Sequence, residues 1–412
     1  MSQSPNPDPE TRPEFEHRTP ESAGAGAAPL RIAFVVDRFG NRYGGAEAYG
    51  VELMRELAQR HDITVFAREY DPACGLKLPF VALKSPRGLP SWLRVLSFAV
   101  RAGRATRQGF DIVHSHMNGY CGNVEVVHVT PVRYNWRVRE LPFFKRFMSV
   151  LSPRVQTYLR LEAARLRQRP GHRVVGVSAL IVEQLRQAYG GNREFPVVPP
   201  GVTRPGAADG ALRIATRARF EYSARDWVCL LVARNPMRKG LPTVLKALAA
   251  LPERYKLLVI GANAAARDYL QKCPEQQRLA GRVAMVAETS DVAPYYLAAD
   301  VYVHPTLNDS FGMAPLEAMS YDLPVVLSPA PWCGFAQYVE HERNALVLSH
   351  PEAHDELAAG IERIASDGSL AEMLRAGGAA VVDRHSWAEV ARRYEALYAQ
   401  CLSEKPGATS GE

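Results

Sequence analysis

Asn308-Asp309-Ser310-Phe311-Gly312-Met313-Ala314-Pro315-Leu316-Glu317-Ala318-Met319 decides how this 412-residue chain is read. An apolar run ending near Val303 predicts a strand just before it, and the Phe311-Gly312 turn predicts the start of a helix. Two carboxylates, Asp309 and Glu317, then stand eight positions apart across a strand-to-helix junction. Glycine lets backbone come close to a ligand, exposed helix N–H groups suit an anion, and the two acids can hold hydroxyls at opposite ends of one small molecule. The same residues also fit an ordinary junction with solvated acids.

Outward from this stretch, short apolar runs alternate with helical patterns from Leu30 to the end. Strands are predicted over residues 31–36, 63–66, 111–114, 125–129, 173–177, 196–198, 227–233, 256–260, 283–286, 300–303, 324–327 and 345–348. Most are near-continuous Val, Ile and Leu, as in strands covered on both faces of a parallel sheet. The fold class expected is therefore α/β, with two Rossmann-like, doubly wound domains facing a cleft. The seam falls at Pro199-Pro200-Gly201, giving domains over 30–200 and 201–385. A last helix over 386–402, opened by Ser386 with Glu389 three residues on, is expected to pack back on the first domain.

Residues 1–29 are rich in Pro, Ser, Gly and Glu and read as a disordered tail, not a signal peptide. No run approaches the roughly 18 apolar residues of a membrane span, so a cytoplasmic protein with reduced cysteines is expected. The net charge of +7 is uneven. Residues 84–173 hold 17 Lys or Arg against four acids, a local +13, which leaves −6 for the remainder. The surplus lies in blocks 84–107 and 133–173, the second carrying Leu141-Pro142-Phe143-Phe144-Lys145-Arg146-Phe147-Met148. Bases among aromatics resemble an interfacial segment on an anionic membrane. A solvated basic helix with inward aromatics fits as well, and no nucleic-acid-binding module accompanies the charge.

Three further motifs face the predicted cleft. After the first strand, Gly40-Asn41-Arg42-Tyr43-Gly44-Gly45-Ala46-Glu47 could turn the amides of Gly44 and Gly45 towards phosphate oxygens, or be a flexible loop and helix cap. Arg234-Asn235-Pro236-Met237-Arg238-Lys239-Gly240 follows another strand, where Arg234 and Lys239 could clamp a diphosphate. His114 reads as a core histidine and His116 as a cleft residue just past its strand. There is no Asp-x-Asp and no cluster at metal-ligand spacing, so no metal is called for.

Together and in this order these pieces resemble family 4 of the glycosyltransferases, retaining nucleotide-sugar enzymes of GT-B fold. The residues that carry the likeness are Gly44-Gly45-Ala46-Glu47, Asp111-Ile112-Val113-His114-Ser115-His116, Val198-Pro199-Pro200-Gly201-Val202, Arg234 with Lys239-Gly240, Ala298-Ala299-Asp300-Val301, and Asp309 to Met319. The resemblance implies that Arg234 and Lys239 hold the diphosphate, Glu317 the ribose hydroxyls, and Asp309 and His116 the transferred sugar. It places Phe311, Gly312, Met313, Gly44 and Gly45 at backbone contacts to the donor, and Glu288 near the base. Asp309 stands where the family usually has Glu, one methylene longer. The resemblance implies a metal-independent transfer from a nucleoside-diphosphate sugar to a saccharide or lipid-linked acceptor, with retention. A nucleotide-sugar epimerase and a non-enzymatic basic nucleic-acid- or membrane-binding protein are the alternatives.

Overall fold

The structure, a computed structural model, describes residues 28–84, 88–116, 122–191, 193–206 and 209–404. Residues 1–27 of the expected tail and Arg87 of the first basic block lie outside the described residues. In the first half the strands are β1 (Arg31–Val36), β2 (Arg38–Phe39), β3 (Asp62–Ala67), β4 (Glu69–Tyr70), β5 (Phe80–Ala82), β6 (Ile112–His116), β7 (Val124–Val127) and β8 (Arg173–Gly176). In the second they are β9 (Trp227–Val232), β10 (Tyr255–Ile260), β11 (Val283–Val286), β12 (Val301–His304), β13 (Val325–Leu327) and β14 (Leu346–Val347).

These make two six-stranded parallel sheets, in the orders β5-β3-β1-β6-β7-β8 and β11-β10-β9-β12-β13-β14, plus the small β2-β4 pair. Numbered within each sheet, both run 3-2-1-4-5-6, the doubly wound order. The chain works outward from β1 or β9, then returns and works outward the other way. A crevice opens where the order reverses, at the carboxyl ends of β1 and β6 in one sheet and of β9 and β12 in the other.

Among the described residues of the first half the α-helices are α1 (Gly45–Leu57), α2 (Ser91–Ala105), α3 (Phe143–Leu151), α4 (Pro153–Arg165) and α5 (Ala179–Tyr189). The second half carries α6 (Gly210–Ala218), α7 (Leu241–Ala250), α8 (Ala264–Lys272), α9 (Gln276–Leu279), α10 (Ala293–Ala298), α11 (Met313–Ser320), α12 (His354–Ser366), α13 (Gly368–Arg384) and α14 (Trp387–Ser403). Helices on both faces explain why the centres of β1, β9 and β10 are apolar: Ile32 to Val35 and Leu257 to Val259 have no exposed surface.

The chain crosses between halves at two adjacent places, where the Val202 N–H donates to the His385 carbonyl at 2.7 Å. Ser386 caps α14 by accepting from the Glu389 N–H at 3.3 Å. The Glu389 carboxylate turns instead to Arg392 and Arg393, at 2.7 and 3.1 Å. Helix α14 lies on the first half, with Trp387 edge-on to Tyr49 and the Tyr49 hydroxyl donating to that of Tyr394 at 2.9 Å.

Several elements differ from expectation, the short β2–β4 pair among them. Residues 196–198 form only a single bridge, Gly176 to Val197, because Pro199 and Pro200 follow and cannot donate to a ladder. Edge strand β5 was not predicted, being three exposed residues behind Pro79 without alternation to reveal it.

Candidate active site between the two sheets

Two loops of the second half build most of the crevice. After β9 the chain turns through Arg234 to Gly240, and α7 begins. Gly240 has φ +86°, and a Cβ there would lie 1.9 Å from the Pro305 carbonyl oxygen, so only glycine fits. After β12 the chain runs through Asn308 to Gly312, at φ +105°, and α11 begins at Met313. Neither helix receives a side-chain cap, and neither does α1, which starts beyond Gly44. Their first N–H groups carry the positive end of the helix dipole into the crevice. Helices α5 and α8, by contrast, are capped by Ser178 and Asn263. Phe311 is buried under the second loop, its ring 5.5 Å from that of Phe335, and fixes the turn that presents Gly312 and Met313.

The charges are internally paired. Lys239 forms an ion pair with Asp309, and the ring Nε2 of His304 lies 3.0 Å from the same Asp309 oxygen. Burial would raise the Asp309 pKa, but the His304 hydrogen bond and the Lys239 ammonium hold it well below the usual carboxylate range. His304 itself is pushed down by burial. Arg234 donates to the carbonyls of Arg42 and Tyr43 at 3.0 and 3.2 Å and pairs with Glu288 at 2.8 Å. Glu317, recessed on α11, accepts from the Tyr296 hydroxyl at 2.9 Å, and the Tyr296 ring stacks on Tyr321 at 5.0 Å. Burial raises the Glu317 pKa, against a smaller opposing pull from that hydroxyl. A carboxylate held this way accepts further hydroxyls readily, since each repays desolvation already incurred.

The first half closes over these loops. Ser178 Oγ donates to the Ser310 carbonyl at 2.5 Å, and Ser310 Oγ donates to the His128 carbonyl at 3.2 Å. A pocket of about 220 Å³ remains between the halves, lined by Arg234, Arg238, Lys239, Asn308 and Asp309 on one side and by Val129 and Thr130 on the other. Gly44 stands close to Arg234, and Gly45 opens α1 with free space beside it.

The structure thus brings Arg234, Lys239, Asp309, Glu288, Gly44 and the start of α11 to one crevice, with Glu317 a turn further along that helix. His116 is placed differently from the expectation that it faces the cleft. Strand β6 extends through residue 116, and a period of two puts His114 and His116 on the same face. Both are buried. The His116 ring Nε2 lies 3.0 Å from His114 Nε2 and its Nδ1 3.2 Å from His128 Nε2, so both nitrogens are engaged by other imidazoles. His114 Nδ1 in turn meets the Tyr398 hydroxyl of α14 at 2.5 Å. Arg238, Asn308, His304 and Tyr296 were not singled out from sequence; Arg238 and Asn308 adjoin motif residues, whereas His304 and Tyr296 give no local signal. Among the described residues no three His, Cys, Asp or Glu side chains gather so as to hold a metal ion.

Comparison with known proteins agrees with this geometry. The family described as Glycosyltransferase Family 4 matches residues 43–204, and that described as Glycosyl transferases group 1 matches 214–381. A D-inositol 3-phosphate glycosyltransferase of Xylanimonas cellulosilytica is 28% identical over 88% of this chain and 93% of its own. The crystal structure of WaaG, a glycosyltransferase involved in lipopolysaccharide biosynthesis, superposes with a TM-score of 0.72 at 17% identity, over 89% of this chain and 99% of that one. Anabaena HepE in complex with UDP and glucose gives 0.68 at 17% identity, over 90% and 99%. The two family matches in tandem over both sheets make the chain a glycosyltransferase of GT-B fold whose two halves both resemble family 4.

Proposed function

We propose that the protein transfers a sugar, with retention at the anomeric carbon and without a metal, from a nucleoside-diphosphate donor to a saccharide or lipid-linked acceptor in cell-surface glycan synthesis. The observation that carries this reading is the convergence of Arg234 and Lys239 on one pocket between the sheets, lined by the two loops that lead directly into the uncapped starts of α7 and α11. Negative charge grows on the departing diphosphate, so fixed cations and helix N-termini stabilise the transition state more than the ground state. On binding, the phosphates replace Glu288 and the Arg42 and Tyr43 carbonyls at Arg234, and Asp309 at Lys239. Glu317 accepts the ribose hydroxyls. The diphosphate itself takes the acceptor's proton on the face that the acceptor attacks, so no side chain acts as general base. His116, with both nitrogens engaged by other rings, positions the wall of the sugar site. That the bound relative carries UDP and glucose supports a nucleotide-sugar donor.

Basic helix α3 supports a membrane-surface acceptor. Phe144, Phe147, Met148 and Leu151 recur at helical spacing and all face solvent, Phe144 being 71% and Leu151 63% exposed. Such a stripe beside exposed Lys145 and Arg154 suits the headgroup boundary of an anionic leaflet, on the cytoplasmic side of the membrane. No described helix is long and apolar enough to cross a membrane. The test is a panel of nucleoside diphosphates and their sugars read by thermal shift, followed by mass analysis of products formed with saccharide acceptors. Stabilisation by a diphosphate and an acceptor-dependent product support the reading. Donor consumption without acceptor would favour an epimerase, and a response to polyanions alone would favour a non-enzymatic binder.

A further inference from the structure

The pocket is lined by three cations, Arg234, Arg238 and Lys239, and they are not equivalent. Arg234 is paired with Glu288 and Lys239 with Asp309. Arg238 has no ion pair among the described residues; its Nη2 donates to the neutral side-chain oxygen of Asn308 at 2.6 Å. The backbone of Arg238 is fixed to the opposite loop, its carbonyl accepting from the Leu307 N–H at 3.0 Å and from Thr306 Oγ1 at 3.4 Å. Its guanidinium is therefore held at the pocket by both its own main chain and Asn308.

Charge accounting gives this a consequence. With their carboxylates in place, Arg234 and Lys239 present no net charge to an incoming anion, and the positive surplus of the pocket resides on Arg238. A diphosphate competes with a carboxylate at either paired cation, but only with a neutral amide oxygen at Arg238. Exchanging a neutral acceptor for a phosphate oxygen is the stronger bond for a planar guanidinium fork. We infer that Arg238 is a third diphosphate-binding residue of the donor site, the one that engages the incoming anion before Arg234 and Lys239 exchange their carboxylates. The inference rests on the nucleoside-diphosphate reading of the pocket and extends it to a residue outside the Arg234–Lys239 pair.

The test is calorimetric titration of the full chain and its Arg238→Gln and Arg238→Lys variants with UDP, GDP and ADP and with the three corresponding nucleosides. For whichever diphosphate the unaltered protein binds, Arg238→Gln should weaken binding about tenfold or more, the size of one lost charged hydrogen bond. Arg238→Lys should recover part of the loss, and nucleoside binding should stay within about twofold, a selectivity that a merely structural role would not produce. The logarithmic salt dependence of diphosphate affinity should also flatten in Arg238→Gln, since one fixed charge has left the site. Diphosphate affinity unchanged in Arg238→Gln, or an equal loss for nucleoside and diphosphate, overturns the inference alone. Failure of the unaltered protein to bind any of the three diphosphates overturns it together with the reading on which it rests.

Discussion

Asp309 is held by two partners at once. Tied to Lys239 and to His304, its carboxylate is fixed at the base of the pocket, where it neutralises the very cation that a phosphate would need. On the proposed mechanism Lys239 changes partner on each turnover, and Lys239→Ala or Arg234→Ala should lower kcat on the order of 100-fold or more while far-UV spectra stay native. Near-normal transfer by both variants would remove the clamp. Glu317→Ala should weaken nucleoside-diphosphate binding about tenfold, as loss of hydrogen bonds to a charged acceptor would. Gly240→Ala combines a left-handed backbone with a Cβ on top of the Pro305 carbonyl. It should cost about 2–5 kcal/mol in urea unfolding, and a loss under 1 kcal/mol would contradict the geometry. At this scale the residues of the loop motifs were readable, because glycines, acids and bases cluster in sequence there. The internal pairing was not, since His304 and Tyr296 reach Asp309 and Glu317 only through the fold.

At the scale of elements, strand β6, helix α14 and the residue just past β7 share a buried chain of rings, Tyr398–His114–His116–His128. Burial drives these histidines down, His114 and His128 to about 3 and His116 well below its ordinary value. Folded, they stay neutral where the unfolded chain takes up protons, so stability is full above the ordinary value near 6.5 and falls as pH drops below it. Each ring contributes up to about 1.4 kcal/mol per pH unit in that range. Urea unfolding at pH 7.5 and 5.5 should show the fall, and His128→Gln should remove one ring's share; an unchanged pH slope would place a charge in the cluster. The strand period of two, applied strictly to His114 and His116, would have foreseen their common face. Helix α3 makes the converse case, since an outward apolar stripe and an inward one share the same periodicity. Paired Phe144→Ser and Phe147→Ser substitutions should reduce flotation with anionic vesicles at low salt, while equal recovery with neutral and anionic vesicles would contradict surface docking.

Across the whole molecule, the two parallel sheets were legible because buried parallel strands write themselves as continuous Val, Ile and Leu runs, whereas the order of strands within each sheet came from the structure. How the halves meet was not, for it depends on hydrogen bonds such as Ser310 to His128 and Arg234 to Tyr43 between residues far apart in sequence. Those contacts join the loops that would have to hold a donor, so donor binding and closure of the crevice are one event in this account. The most direct measurement is calorimetric titration of UDP, GDP and ADP into the unaltered chain, Lys239→Ala and Glu317→Ala. One diphosphate should bind the unaltered chain and lose about tenfold or more in each variant, with all three proteins equally folded. Equal affinity in all three, or none in the unaltered chain, would contradict a donor site built from these two loops.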